Sequence, residues 1–356
     1  MVNDALDNPA MRFNDTTLAA VLQIMAAETI FNHQTSWIHE QGLERMIEHR
    51  GGLDQLGSSG KLAAFITIAS LMFCVHQERR PNPIYVNHAS TQQYAYPPSV
   101  SSPSPESPLY MFHADYRFTR FDRNCNKESL RLLKLLHSLT SAFVTLVTFS
   151  AQPYSVRRHA MRAEITSLAS RIQSFAATDT NLHCTQADRR YEAIRLTSRI
   201  YVHALEHRLP FSQTHSNSQT SCGVTPLMVK QALVRTDVAD CWDNMAGVLF
   251  WITLVAGSAC GNVPILDGVD DVDQSTRRWM ATLTARVSVL LGFEHTAAVM
   301  QNLRKMVLIQ EALRRGKAPV SLRSSDLGGP DFALPGDGRI VDLGDVLEEE
   351  DFTDWV

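Results

Sequence analysis

Several residues of this chain have part of the spacing that a metal site requires. His39 and Glu40 match the first half of the zinc-protease motif H-E-x-x-H, but Leu43 occupies the position of the second histidine. Two imidazoles one helical turn apart are needed to hold the zinc ion, so the motif is incomplete. His39 and His49 lie nearly three turns apart on a helix and cannot share one metal ion.

Two further motifs are also incomplete. Gly60 and Lys61 stand as in a phosphate-binding loop, but Leu62 replaces the hydroxyl residue that would bind magnesium. The segment 257–261 has the two glycines of a nucleophile elbow, but Ala259 lies at the position of the nucleophile. Neither segment can therefore supply the chemistry of its motif.

The acidic segment 267–273 reads DGVDDVD and precedes a predicted helix. Its order of residues does not match the twelve-position calcium loop, and its carboxylates favour the helix N-terminus through the helix dipole. No glycine-rich dinucleotide motif follows a strand. The sequence therefore predicts a protein that is not an enzyme, with no catalytic residue, no metal ligand and no cofactor.

The composition is that of a folded globular protein. Hydrophobic residues make up 44% and charged residues 20% of the 356 residues, and this length can bury a large core without a disulfide or metal. The formal net charge of −4 gives no basic excess that would indicate nucleic-acid binding by the whole chain. None of the six cysteines has C-x-x-C spacing, which favours free thiols in a reducing compartment.

No targeting or membrane segment is predicted. The N-terminus has neither the basic nor the apolar region of a signal peptide. The apolar stretch 244–266 contains three glycines and a proline, and its continuously apolar part is shorter than the about 20 residues of a membrane span. We expect a buried core helix there.

Helical periodicity dominates the rest of the chain, and no alternating strand pattern is present. The sequence predicts an all-α array of paired antiparallel helices over residues 16–315, after a flexible N-terminus at 1–15. The first predicted helix begins at Thr16 or Thr17. The others cover 36–49, 61–76, 127–149, 154–175, 187–209, 226–235, 238–259, 273–291 and 294–315.

A long loop insertion is predicted at about 79–124, where Pro, Ser, Tyr and Asn are frequent. Its centre, 97–108, reads PPSVSSPSPESP and is typical of a flexible loop with no packed core. Ser102, Ser104 and Ser107 each precede a proline. Proline-directed phosphorylation is one interpretation, and an ordinary linker composition is the other.

The tail, 316–356, is rich in Gly, Pro, Ser and Asp and is predicted to be disordered. It ends in DLGDVLEEEDFTDWV, where Leu347, Phe352 and Trp355 alternate with carboxylates. Repulsion between the carboxylates keeps these apolar side chains accessible. The pattern is typical of disordered activation segments, and an acidic tail that aids solubility is the alternative.

The segment 37–53, WIHEQGLERMIEHRGGL, has the most specific pattern in the chain. It resembles a signature of the fungal-specific transcription factor domain, the large helical regulatory region of zinc binuclear cluster regulators. Weaker points of likeness are the apolar run 249–254 and the residues Arg277, Arg278 and Trp279. The features that match the signature are Trp37, His39, Gly42, Leu43, Met46, Ile47, Arg50, Gly51, Gly52 and Leu53.

Physical reasoning assigns this segment to the scaffold. Gly42 is predicted to let a neighbouring helix approach closely, and the apolar residues are predicted to pack. Gly51 and Gly52 are predicted to end the helix, because glycine readily adopts the left-handed conformation.

The resemblance covers roughly 16–315 and implies a transcription-regulator-like protein in the nucleus. Such a protein would act through contacts with the transcription machinery or with a DNA-binding regulator. A homodimer is one possible arrangement. Full-length members carry a cysteine cluster that binds two zinc ions and reads DNA. This sequence contains no such cluster, so we do not expect the chain to bind DNA directly. A truncated relative, an incomplete gene model and a partner acting through another protein are three explanations of that absence. The alternative function is a helical small-molecule-binding protein or an enzyme with an unrecognised site.

Overall fold

The computed structural model describes residues 8, 11–31, 36–91, 104–111, 116–148, 156–178, 184–215, 221–261 and 271–315. Within these ranges the backbone forms eleven α-helices, short 3-10 turns and no strand, which confirms the predicted all-α class. The predicted tail and most of the predicted flexible N-terminus lie outside the described residues. The helices are α1 (Asp15–Phe31), α2 (Ser36–His49), α3 (Lys61–His76), α4 (Pro83–Thr91), α5 (Lys127–Thr148), α6 (Val156–Gln173), α7 (Gln186–His207), α8 (Pro226–Val234), α9 (Ala246–Ala259), α10 (Asp271–Glu294) and α11 (Thr296–Arg315).

Helix α9 forms the centre of the fold. All of its residues are buried, and it packs against α3, α7, α8 and α10. A helix that is apolar on every face is stable only when other elements surround it. The prediction of a core helix in the stretch 244–266 is therefore confirmed. Consecutive helices pack around this centre, with α1 against α2, α5 against α6 and α10 against α11.

Two helical segments of the described chain, Ser58–His76 and Lys127–Thr148, are long and apolar enough to cross a membrane by length and composition. About half of each apolar window is buried within the fold. Core helices of water-exposed folds meet the same criteria, so these segments carry no argument for membrane insertion.

The first difference from the sequence-based prediction is helix α4, which lies inside the predicted loop 79–124. Asn82 accepts the backbone N–H of Ile84 at 3.1 Å, and Pro83 occupies the first turn. An asparagine followed by proline is a favourable helix start, and the loop-like composition around it concealed this signal. Tyr85 and Val86 are buried, and α4 packs on α3 and α11.

The second difference concerns 104–111, which includes the last part of the Pro/Ser-rich centre of the predicted flexible loop, whereas the rest of that centre, 97–103, lies outside the described residues. Residues 104–109 are all buried, so this part is a packed strap and not a flexible loop. The Ser107 hydroxyl donates to the Asn302 side-chain oxygen at 2.6 Å and accepts the backbone N–H groups of Leu109 and Tyr110 at 3.1 Å each. Burial is tolerated because these polar groups have hydrogen-bond partners.

The third difference is the segment 238–245, which was predicted as part of a continuous helix over 238–259. Cys241, Trp242 and Asp243 have φ values of 49°, 63° and 45°, so the helix cannot pass through them. This left-handed turn places the Trp242 side chain completely inside the protein, with its indole N–H donating to the Thr236 hydroxyl at 3.0 Å. Burial of the indole offsets the backbone strain of the turn.

Candidate protein-interaction site

The segment 37–53 forms most of α2 and the turn that ends it. Gly51 and Gly52 have φ values of 90° and 106°, and their N–H groups donate to the Glu48 and Ile47 carbonyl oxygens at 3.0 Å each. This is the left-handed helix ending that glycine permits. The prediction that the glycine pair ends the helix is confirmed.

The apolar residues of this segment pack as predicted, because Leu43, Met46 and Ile47 are all buried. The prediction for Gly42 is wrong. A Cβ atom added there would meet no heavy atom within 4 Å, so no neighbouring helix makes a close approach. Gly42 lies on the open side of α2, a feature that the spacing of the motif could not reveal.

Arg50 fixes the end of α2 to its surroundings. Its guanidinium donates to the Phe13 carbonyl at 2.6 Å and to the Gln55 carbonyl at 3.1 Å, and lies 3.1 Å from the Asp15 carboxylate. The same carboxylate accepts the N–H of Gly57 at 2.9 Å. Arg50 is thus a structural residue that connects three chain segments, a role that the sequence alone did not indicate.

The two residues of the incomplete zinc motif make separate polar contacts. His39 lies 3.2 Å from the Glu28 carboxylate, whereas the buried Glu40 pairs with Arg79 and accepts a hydrogen bond from the Cys74 thiol at 3.7 Å. Burial is the largest cause that raises the pKa of Cys74, so this thiol stays protonated and unreactive. The two motif side chains therefore do not converge on one centre.

No metal centre with three protein ligands is present in the described ranges, since no group of three or more His, Cys, Asp or Glu side chains is placed to hold an ion there. The nucleophile-elbow spacing at 257–261 also has a structural origin. A Cβ atom on Gly257 would lie 2.8 Å from the His76 ring, so this glycine permits close packing of α9 on α3. All six cysteines are free.

The structure also has an exposed apolar surface, which the polar contacts and glycine contacts described above do not include. Phe293 and Leu290 on α10 are 70% and 51% exposed, and Val289 beside them is also exposed. The Phe293 ring contacts the half-buried Phe65 ring of α3 edge to face, with centroids 4.9 Å apart. We call these four residues the α10 patch. Contiguous exposed apolar side chains are characteristic of contact sites for other proteins.

Charged residues border the α10 patch. Lys61 lies one helical turn before Phe65, and Arg286 one turn before Leu290, and both are exposed. Arg286 also donates to the Ala239 carbonyl, which fixes its position. Glu294 adds one negative charge beside Phe293. These three neighbouring residues together carry one net positive charge.

A second exposed apolar pair belongs to the segment 37–53. Trp37 and Ile38, in the first turn of α2, are 48% and 51% exposed. They differ in this from the buried apolar residues later in the same helix. Trp37 was one of the residues that carried the resemblance, and the structure places it at the surface and not in the scaffold.

The fold and the site define an all-α protein with an exposed apolar patch bordered by basic residues. Comparison with protein-family models, with curated proteins and with solved structures finds no match to this chain. The resemblance to the fungal-specific transcription factor domain stays a prediction.

Proposed function

We propose that this protein is a transcription-regulator-like protein that acts in the nucleus through protein–protein contacts and catalyses no reaction of its own. The α10 patch is the observation that carries the proposal, because it leaves Leu290 and Phe293 open to a partner. The resemblance of segment 37–53 and the acidic–apolar pattern of the tail add support from the sequence.

The partner of the α10 patch is an acidic amphipathic segment of another protein. Apolar side chains of such a segment would cover Leu290 and Phe293, and its carboxylates would lie near Lys61 and Arg286. This complementarity favours association mainly through the encounter rate and makes it sensitive to salt. We propose that this partner belongs to the transcription machinery or to the DNA-binding regulators.

A labelled acidic amphipathic peptide with the sequence of residues 340–356 is a suitable probe of the patch. We expect it to bind the full chain in fluorescence anisotropy, more weakly as salt increases. Phe293→Ser should reduce the affinity at least about tenfold, the loss expected for an anchor that contributes more than 1.4 kcal/mol. Phe121→Ser is the matched control, because Phe121 is 72% exposed and lies outside the patch. Equal binding by wild type and Phe293→Ser would refute the assignment of the patch.

The regulatory role is tested by the tail. Residues 317–356, fused to a heterologous DNA-binding domain, should raise reporter output, and combined Phe352→Ala and Trp355→Ala should reduce it. Thr353→Ala is the matched control, because it changes the tail between these aromatic residues without removing either of them. A fusion with no reporter activity would remove the tail from the proposal.

A further inference from the structure

His203 and His207 lie one helical turn apart in the last two turns of α7. Their ring centroids are 4.4 Å apart and the ring planes are inclined at 52°. Residues four apart share one face of a helix, so the two imidazoles are neighbours by construction. The sequence signal for this pair is the spacing H-A-L-E-H at 203–207. The only histidine spacing considered above was that of His39 and His49.

The distance between the rings suits chelation of one metal ion. With a metal–nitrogen distance of about 2.0–2.1 Å, two imidazoles have ring centres about 4.5 Å apart at the right angle of a square-planar copper or nickel site. At the tetrahedral angle of a zinc site the ring centres are about 5.2 Å apart. The observed 4.4 Å is close to the square-planar value. Zinc, copper and nickel are the divalent ions that prefer imidazole ligands.

The position of the pair in the fold favours a cation. Helix α7 ends at His207, and the C-terminal end of a helix dipole is negative. His203 is only 7% exposed, whereas His207 is exposed and open to solvent. One ligand is therefore fixed in the core, and the other gives an ion access from solution.

Three charged residues lie close to the pair along the chain. The Glu206 carboxylate accepts a hydrogen bond from the Gln173 amide at 3.2 Å. The Arg208 guanidinium lies over the Phe143 ring of α5, 4.5 Å from its centroid. Arg199 is exposed one turn before His203, and its long side chain can extend into solvent.

We propose that His203 and His207 form a bidentate site for a divalent cation of the copper and nickel class, with zinc bound more weakly and water in the other coordination positions. Water completes the site because the described residues provide no group of three protein ligands. An ion bound by two protein ligands exchanges readily and stabilises the folded state by mass action. The site is independent of the proposed function.

Titration of the full chain with ZnCl₂, and separately with CuCl₂, tests the site by calorimetry and by the shift in Tm. We expect binding of one ion, tighter for copper than for zinc as the order of divalent ions requires, and a Tm that increases with ion concentration. MgCl₂ should give neither signal, because magnesium prefers oxygen ligands.

His207→Gln is the decisive variant, because His207 is exposed and its replacement leaves the core intact. We expect it to lose the one-ion binding, with an affinity reduced on the order of tenfold or more. His203→Ala should lose the same binding and lower Tm in the absence of metal. His159→Gln, at an exposed position on α6, is the matched control and should bind as wild type does. Zinc and copper affinities of His207→Gln equal to those of wild type would overturn the proposal.

Discussion

The guanidinium of Arg190 lies 3.2 Å from the carboxylate of Asp122, with side chains that are 2% and 4% exposed. The Arg190 side chain also lies over the Trp242 ring, 5.3 Å from its centroid. The pair joins α7 to the segment before α5 and to the left-handed turn at 241–243. Burial lowers the pKa of Arg190, and the nearby carboxylates, Asp122 foremost among them, act in the opposite direction. Each charge therefore depends on its partner to remain inside the protein.

Removal of one partner of this pair should be strongly destabilising. Asp122→Asn and Arg190→Met each leave an uncompensated or unsatisfied group in the core, at a cost of about 3–5 kcal/mol in the free energy of unfolding. The measurement is urea denaturation followed by circular dichroism. Arg131→Met is the matched control, because Arg131 forms an exposed pair with Glu128, and exposed pairs contribute about 0–1 kcal/mol. Similar losses in the buried and exposed variants would contradict the role assigned to the pair.

Two glycines of the fold should respond in opposite directions to the same substitution. A Cβ atom on Gly247 of α9 would lie 2.6 Å from the backbone oxygen and 2.9 Å from the backbone nitrogen of Glu106. Gly247→Ala should therefore displace the strap 104–111 and cost about 1–3 kcal/mol. Gly42→Ala meets open space within α2 and should stabilise the protein by about 0.5–1 kcal/mol through helix propensity. Thermal denaturation of both variants measures the difference, and a stabilised Gly247→Ala would exclude the close contact between α9 and the strap.

Local signals in the sequence were sufficient for much of the fold. The helix ending at Gly51 and Gly52 follows from glycine conformation alone. Thr225 caps α8 by accepting the Met228 N–H at 3.4 Å, and Pro226 lies in the first turn, as the pair Thr-Pro predicts. The core helix α9 could be predicted because fourteen residues without a polar face have to be surrounded by protein.

Features that depend on distant partners could not be predicted in this way. The strap 104–111 is buried because Ser107 meets Asn302, which is 195 residues further along the chain. The Glu106 carboxylate accepts the backbone N–H groups of Phe118 and Thr119 at 3.1 and 2.8 Å, a set of contacts that exists only after folding. The α10 patch was missed for a related reason, because helical periodicity indicates which face is apolar but not whether another element covers it.

The pH dependence of stability should reveal the environment of His137. Burial and the neighbouring Lys305 lower its pKa, while its hydrogen bond to the Pro108 carbonyl, 3.2 Å away, acts in the opposite direction. The folded protein therefore binds this proton less readily than the unfolded chain. The stabilisation is complete above the ordinary histidine pKa of about 6.5 and is lost as the pH decreases below it.

His137→Gln removes this contribution. We expect the variant to lose less stability than wild type between pH 7.5 and pH 5.5, by no more than about 1.4 kcal/mol per pH unit. Some pH dependence should remain, because burial also lowers the pKa of His88, His215 and His295. Urea denaturation at both pH values is the measurement, and His159→Gln, at an exposed position, is the matched control. A steeper pH dependence in His137→Gln would show that the sign is wrong.

The burial of the strap bears on the two interpretations of the Ser-Pro sequences at Ser104 and Ser107, whereas Ser102 lies outside the described residues. Ser104 and Ser107 are both buried, and the Ser107 hydroxyl is engaged with Asn302, so a proline-directed kinase cannot reach either hydroxyl in the folded protein. We expect mass spectrometry to find no phosphate at these two serines after the native protein is incubated with such a kinase. A synthetic peptide of residues 97–115, which has no fold to protect it, should be phosphorylated under the same conditions. Stoichiometric phosphorylation of Ser107 in the native protein, with Tm unchanged, would mean that the strap leaves the core without unfolding the protein.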